Sequence, residues 1–188
     1  MRALTDRFRE ITGRADAAVL IDQEGGRVQR MAANHWPAYP SAARLAAAST
    51  DPAEQVQAVF LATRLIAHDL AEVGVNVDCL PVLDLPVAGS HAIIGDRAYG
   101  EDAETVARLG RAAAEGLLAG GVLPVFKHVP GDVCGRIKPY AEFAEVAAIC
   151  GIAERFFGCH PAFTCEFCSH IHAVFHGPLE LCRFVAAF

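Results

Sequence analysis

A dense run of charged residues and glycines spans positions 21–30, with the sequence Ile-Asp-Gln-Glu-Gly-Gly-Arg-Val-Gln-Arg. It follows directly on the apolar segment 17–20, which is typical of the end of a short buried strand. Two acids and two arginines could bind a polar ligand, whereas in a core they would be desolvated and unpaired. We therefore predict that this run forms a ligand-binding loop.

Two later apolar segments also end at ionisable residues. Residues 75–83 are rich in β-branched side chains and stop at Asp84, and residues 122–126 stop at Lys127 and His128. Both segments have the length and composition of strands. The sequence therefore predicts three strands, at 17–21, 75–83 and 122–126, each followed by groups that could do chemistry.

Helices are predicted before and between these strands. The clearest begins with Asp51 as N-cap and Pro52 in its first turn, and its apolar residues recur at helical spacing as far as Gly74. The others cover the first eleven residues, closed by a glycine at position 13, and the segment from position 105 to the glycines at 120 and 121. Helix and strand therefore alternate.

Alternating helices and strands favour an α/β fold built from parallel β/α units. In such folds functional groups lie beyond the carboxyl ends of the strands, where Asp22, Asp84, Lys127 and His128 fall. The pattern alone does not separate a barrel from an open doubly wound sheet. A nucleotide-binding sheet is the less favoured of the two, because no glycine-rich phosphate-binding motif follows any strand.

Four motifs, in order along the chain, resemble glycoside hydrolase family 3. Within that family they look most like the bacterial β-N-acetylhexosaminidases that recycle peptidoglycan fragments in the cytoplasm. The resemblance covers residues 1–131 and implies a (β/α)8 TIM barrel that removes a terminal N-acetylglucosamine by a retaining route, without a cofactor. The motifs are residues 21–30, Pro-Val-Leu-Asp-Leu at 81–85, Ile-Gly-Asp-Arg-Ala-Tyr-Gly at 94–100 and Lys-His-Val-Pro-Gly at 127–131.

The resemblance also implies a pocket for the sugar. In it, Asp22 accepts hydrogen bonds from sugar hydroxyls, and the pocket is completed by Arg30, Arg97, Lys127 and His128.

Three other charged residues near these motifs receive different interpretations. Glu24 and Arg27 are not needed for the sugar, and we expect them to brace the loop as an ion pair or from behind the sugar-binding groups. Asp84 stands where a nucleophile could, but the preferred interpretation is a cap of the following turn.

The catalytic groups of the family have no counterpart here. Its acid/base histidine lies in an Asp-Ser-His segment, which occurs nowhere in this sequence, and its aspartate nucleophile lies on a later strand that the chain does not reach. Asp132 and Val133 stand where the family continues with His-Gly. We therefore expect an incomplete barrel, lacking also the family's first strand and helix, that binds the sugar but does not turn it over.

Residues 132–188 differ in composition from residues 1–131. Six of the seven cysteines and eight of the eleven phenylalanines lie after Gly131. This discontinuity favours an aberrant tail produced by a shift of reading frame. The alternative is a non-catalytic module with a zinc-binding Cys/His tail, but a single Cys-x-x-Cys and the short spacing from Cys168 to His172 argue against a metal site.

Charge and hydropathy exclude several classes of partner. The net charge is −6 and the arginines are scattered, so no nucleic-acid partner is expected. The sequence holds no uninterrupted apolar stretch of about 18 residues or more, so no membrane partner is expected either. The first residues lack the apolar centre of a signal peptide, which predicts a cytoplasmic location. A carbohydrate is thus the expected partner, and the oligomeric state is left open.

Overall fold

Helices and short strands alternate along the part of the chain that the computed structural model describes, which is residues 1–32, 34–86 and 93–128. All of these residues belong to the first of two compact units, Met1–Glu145. In chain order the elements are α1 (Arg2–Thr12), β1 (Leu20–Ile21), β2 (Gln23–Gly25), β3 (Val28–Gln29), α2 (Ala42–Ala46), α3 (Pro52–Glu72), β4 (Val77–Asp78), a 3-10 turn (Gly95–Arg97), α4 (Ala103–Ala119) and β5 (Leu123–Pro124).

Three parallel strands form the sheet in the order β1-β4-β5. Ile21 pairs with Asp78, and Asp78 in turn pairs with Pro124, so the three strand ends lie side by side. This confirms the parallel α/β arrangement predicted from the sequence. The regular strands are shorter than the predicted 17–21, 75–83 and 122–126, although an isolated parallel bridge between Val82 and Lys127 continues the pairing of the last two segments.

Helices α3 and α4 pack against each other and form much of the core. Each begins at an aspartate whose carboxylate accepts a backbone N–H, with Asp51 Oδ1 2.9 Å from Ala53 N and Asp102 Oδ1 2.8 Å from Thr105 N. Along their contact Val59, Leu109 and Ala113 are fully buried, as are Ile66, Leu70 and Leu117 nearer the sheet. The predicted helices are thus confirmed, and α4 begins two residues before the predicted position 105.

Helix α1 is held to the rest of the unit by polar contacts. Thr5 Oγ1 donates to Val73 O at 2.8 Å, and Arg9 Nη2 donates to Gly74 O at 2.6 Å. Gly13 ends the helix in the left-handed conformation, with φ of 67°, as the sequence predicts. The apolar stripe that predicted the helix faces outward, because Leu4 and Ile11 are 73% and 71% exposed.

Part of the predicted loop at 21–30 is a two-stranded antiparallel hairpin, β2–β3. Gly25 and Gly26 turn the chain with φ of 85° and 58°, and a side chain at Gly25 would meet the carbonyl of Pro40. Neither this hairpin nor the short helix α2 was predicted from the sequence. The hairpin matters for the site because it turns Gln23 and Glu24 into the buried interior.

Two further expectations concern membrane insertion and the C-terminal part of the chain. None of the helices in the described ranges combines the length and the apolar character that crossing a bilayer requires. The predicted boundary at Gly131, the tail at 132–188 and its Cys and His residues lie outside the described residues.

Candidate functional site

Lys127 joins the polar groups at the ends of β1 and β5. Its ammonium nitrogen lies 2.7 Å from Asp22 Oδ1 and 2.5 Å from Glu24 Oε1. Asp22 is the residue that follows β1, and Lys127 follows β5 by three residues, so parallel pairing through β4 brings the two together. The structure thus places two of the five predicted site residues in direct contact.

Arg97 reaches the same cluster from the 3-10 turn. Its Nε lies 2.8 Å from Glu24 Oε2 and its Nη2 lies 2.9 Å from Glu24 Oε1, which is a bidentate pair. The Glu24 side chain is only 4% exposed and the Arg97 side chain 13% exposed. Glu24 therefore holds two cations of the site, Arg97 and Lys127, in fixed positions.

Glu24 and Arg27 do not form the ion pair that was one of the two arrangements expected for them. Arg27 Nε pairs instead with Asp96 Oδ1 at 3.0 Å, and Arg27 Nη2 donates to the carbonyl of Ile94, also at 3.0 Å. Asp96 and Arg97 both belong to the 3-10 turn, so the hairpin braces this turn through two separate pairs, Arg27–Asp96 and Glu24–Arg97. Sequence proximity suggested the wrong partner, because the register of the hairpin and the path of residues 93–97 are tertiary features.

Arg30 lies at the exposed rim of the cluster. Its Nη2 is 3.9 Å from Asp22 Oδ2, and 67% of its side chain is exposed. The residue that follows it, Met31, is held by Gln23, whose side-chain amide accepts from Met31 N at 2.9 Å and donates to Met31 O at 3.2 Å. Arg30 is therefore near Asp22 with its guanidinium largely open to solvent.

His128, the fifth predicted residue, contacts Asp84. The ring Nδ1 lies 2.6 Å from Asp84 Oδ2, and the same oxygen accepts from the His128 backbone N–H at 3.1 Å. The pairing of Pro81 and Leu83 with Lys127 brings the two residues together. The cap of the following turn stays a prediction, because residues 87–92 lie outside the described residues, but the contact places Asp84 beside a predicted site residue. Its place directly after a strand was the signal that could have assigned it to the site.

Asp78 is a buried carboxyl group that the sequence analysis did not assign to the site. It is 0% exposed, and its Oδ1 accepts from Gln23 N at 3.0 Å, while its Oδ2 has no hydrogen-bond partner among the described residues. Burial raises the pKa of Asp78 to about 8, although the charge of Lys127 opposes the shift. The one feature of the sequence that could have assigned Asp78 to the site is an ionisable residue inside a short apolar strand.

The electrostatics keep Asp22 and Lys127 ionised. The hydrogen bond from Lys127 lowers the pKa of Asp22, with help from the charges of Arg30 and Arg97 and against a smaller opposing effect of burial. Burial alone would lower the pKa of Lys127, but its hydrogen bonds to Asp22 and Glu24 raise it overall. The site therefore offers a permanent carboxylate acceptor beside permanent cationic donors.

Such a site can bind a neutral ligand rich in hydroxyl groups. Asp22 can accept from hydroxyls, while Lys127, Arg97 and Arg30 carry more N–H donors than their protein contacts use. Within the described ranges, no group of three or more His, Cys, Asp or Glu residues is arranged to hold a metal ion. The Cys and His residues considered as zinc ligands lie outside those ranges.

Parallel β/α units with charged groups beyond their strand ends define an α/β protein with a polar cluster at that edge. The family model of the glycosyl hydrolase family 3 N-terminal domain matches residues 3–146, and the chain belongs to this family.

Curated relatives and solved structures agree with this assignment. The chain is 40% identical over 114 residues to beta-hexosaminidase LpqI of Mycobacterium tuberculosis, a match that covers 61% of this chain and 28% of that protein. NagZ from Neisseria gonorrhoeae superimposes with a TM-score of 0.63 at 31% identity, over 70% of this chain and 38% of NagZ. NagZ in complex with N-trifluoroacetyl-D-glucosamine gives a TM-score of 0.70 at 28% identity, over 82% and 49%. The chain spans about a third of the length of the curated relatives it matches.

Proposed function

We propose that this chain carries the sugar-binding part of a β-N-acetylhexosaminidase of family 3 and binds a terminal N-acetylglucosamine. The observation that carries the proposal is the Lys127 ammonium, which bridges Asp22 and Glu24 at the strand ends. Support comes from relatives named beta-hexosaminidase and from the N-acylated glucosamine in the NagZ complex.

The proposed contacts follow from the hydrogen-bonding capacity of each group. A pyranose hydroxyl can donate to the Asp22 carboxylate and at the same time accept from a cation, and Lys127 has one N–H beyond the two directed at its carboxylates. Arg97 and Arg30 supply further donors on either side. The carboxylate oxygens of Glu24 already accept hydrogen bonds from Arg97 and Lys127. We therefore propose that Glu24 positions these two cations and does not contact the sugar.

Binding without turnover is the proposed behaviour of this chain. A retaining glycosidase needs a carboxylate nucleophile and an acid/base about 5–5.5 Å apart across the glycosidic bond. The sequence offers no Asp-Ser-His segment for the acid/base. We further propose that the three parallel strands are part of a TIM barrel. The incomplete barrel, the reading-frame origin of residues 132–188, the cytoplasmic location and a role in peptidoglycan recycling stay predictions.

The test is titration of the 15N-labelled chain with N-acetylglucosamine, followed by NMR. We expect shifts at Asp22, Arg97 and Lys127, and about 10- to 100-fold weaker binding after Asp22→Asn, because a charge-assisted hydrogen bond is lost. Glu24 still pairs with Lys127 in that variant, so the fold should persist.

The matched control is Asp16→Asn, which makes the same chemical change at an exposed carboxylate paired with Arg14. Equal affinity of the Asp22→Asn variant and the unmodified chain would refute the proposed site. Release of nitrophenol from its N-acetylglucosaminide above the rate in buffer would refute the proposed lack of turnover.

A further inference from the structure

The contact with Asp84 places the two ring nitrogens of His128 in different surroundings. Asp84 has a side chain only 3% exposed, and its Oδ2 lies 2.6 Å from His128 Nδ1. The His128 side chain is 37% exposed, so one part of the ring is buried against Asp84 while another part is open. The two ring nitrogens are therefore in different surroundings.

The chemistry of the acceptor decides which nitrogen carries the proton. A carboxylate oxygen only accepts hydrogen bonds, so a separation of 2.6 Å requires a proton on Nδ1. The backbone N–H of His128 donates to the same oxygen, which anchors the residue at two points. In the neutral ring the other nitrogen, Nε2, then has a free lone pair and is an acceptor.

We propose that Asp84 is a positioning residue that holds His128 in the Nδ1–H tautomer, so that Nε2 accepts a hydrogen bond from a sugar hydroxyl. This inference rests on the proposed sugar site and deepens it. Lys127, Arg97 and Arg30 are all donors, so a hydroxyl that accepts from one of them needs an acceptor for its own proton. His128 Nε2 supplies that acceptor in addition to Asp22. Because an ether oxygen has no proton to donate, the site should bind sugars with free hydroxyls better than sugars whose hydroxyls are converted to ethers.

The first measurement determines the tautomer with Asp84 and His128 both in place. The chain is labelled with 15N-histidine, His128 is assigned from the spectrum of His128→Gln, and its tautomer is determined at a pH at which the ring is neutral. The expected result is a proton on Nδ1. A proton on Nε2 would overturn the proposal, and this readout does not depend on sugar binding.

The second measurement compares variants at Asp84. Asp84→Ala should shift His128 toward the Nε2–H tautomer and weaken binding of N-acetylglucosamine about 10-fold, the equivalent of one hydrogen bond. Asp84→Asn keeps an acceptor oxygen and should retain the Nδ1–H tautomer with a smaller loss. Asp6→Asn, at an exposed carboxylate on α1, is the matched control.

The outcomes separate this inference from the proposed function. An unchanged tautomer in a folded Asp84→Ala variant would overturn the positioning role. If Asp84→Ala does not fold, the tautomer of the unmodified chain and the Asp84→Asn variant decide the matter. The expected tautomer without any binding of N-acetylglucosamine to the unmodified chain would overturn the proposed function and the role of Nε2, while the contact with Asp84 would stand.

Discussion

Glu24 is the residue on which the geometry of the candidate site depends most. It is nearly inaccessible to solvent and makes three contacts with Arg97 and Lys127, two cations that come from distant parts of the chain. Removing one partner of a buried ion pair is costly because the other charge stays desolvated. Glu24 therefore links the stability of the site to its ability to bind.

Replacing Glu24 by Gln should destabilise the chain by about 3 kcal/mol, since two cations lose their shared carboxylate. Binding of N-acetylglucosamine should also weaken, because Arg97 and Lys127 lose their fixed positions. Urea unfolding and the NMR titration measure the two effects.

Glu10→Gln provides the comparison, because Glu10 forms an exposed pair with Arg7 and its loss should leave both quantities unchanged. Equal stability of the two variants would show that the contacts of Glu24 with Arg97 and Lys127 do not stabilise the chain.

At the scale of elements, the close approach of α3 and α4 depends on Gly116 of α4. A Cβ at Gly116 would lie 2.1 Å from Thr63 Oγ1 and 2.5 Å from the backbone carbonyl of Phe60. A Cβ at Gly110 would lie 2.5 Å from Leu83 Cδ2, the tip of a side chain that can rotate away. Both glycines are interior to the helix, so they share the same helix-propensity gain on substitution by alanine.

We therefore expect Gly116→Ala to destabilise the chain by about 1–3 kcal/mol, the usual cost of overpacking, after allowance for the gain in helix propensity. Gly110→Ala should cost clearly less. Thermal or urea unfolding of the two variants makes the comparison, and a larger loss at Gly110 would contradict this description of the helix contact.

At the scale of the whole molecule, the buried carboxyl of Asp78 makes stability depend on pH. Its pKa is raised by burial from 3.8 to about 8 in the folded chain. Between these values the folded chain keeps a proton that the unfolded chain releases. The free energy of unfolding must therefore fall as the pH rises from about 4 to about 8 through this group.

Replacing Asp78 by Asn removes the titrating group while keeping an oxygen for the Gln23 N–H. We expect the variant to lose less stability than the unmodified chain when the pH is raised from 5 to 8. Urea unfolding at both values measures the difference, and Asp16→Asn corrects for the loss of one carboxylate from the surface. Identical losses in the Asp78→Asn variant and the unmodified chain would contradict the shifted pKa.

The sequence by itself determined the order of the three parallel strands and of the long helices between them, and the family. The cap at Asp51, the closing Gly13 and the helical spacing of apolar residues are local features, because they depend on residues only a few positions apart. The position of Asp22 and Lys127 after strands likewise follows from local hydropathy, and parallel pairing then brings them to one edge.

Only the tertiary structure decided which charges pair. Glu24 binds Arg97 and Lys127 instead of Arg27, Asp84 holds His128, and Asp78 lies buried beneath the site. Each of these contacts joins residues more than forty positions apart, or depends on burial by distant elements. A pattern of residue types records which groups can form ion pairs, but sheet register and the path of the loops decide which of them meet.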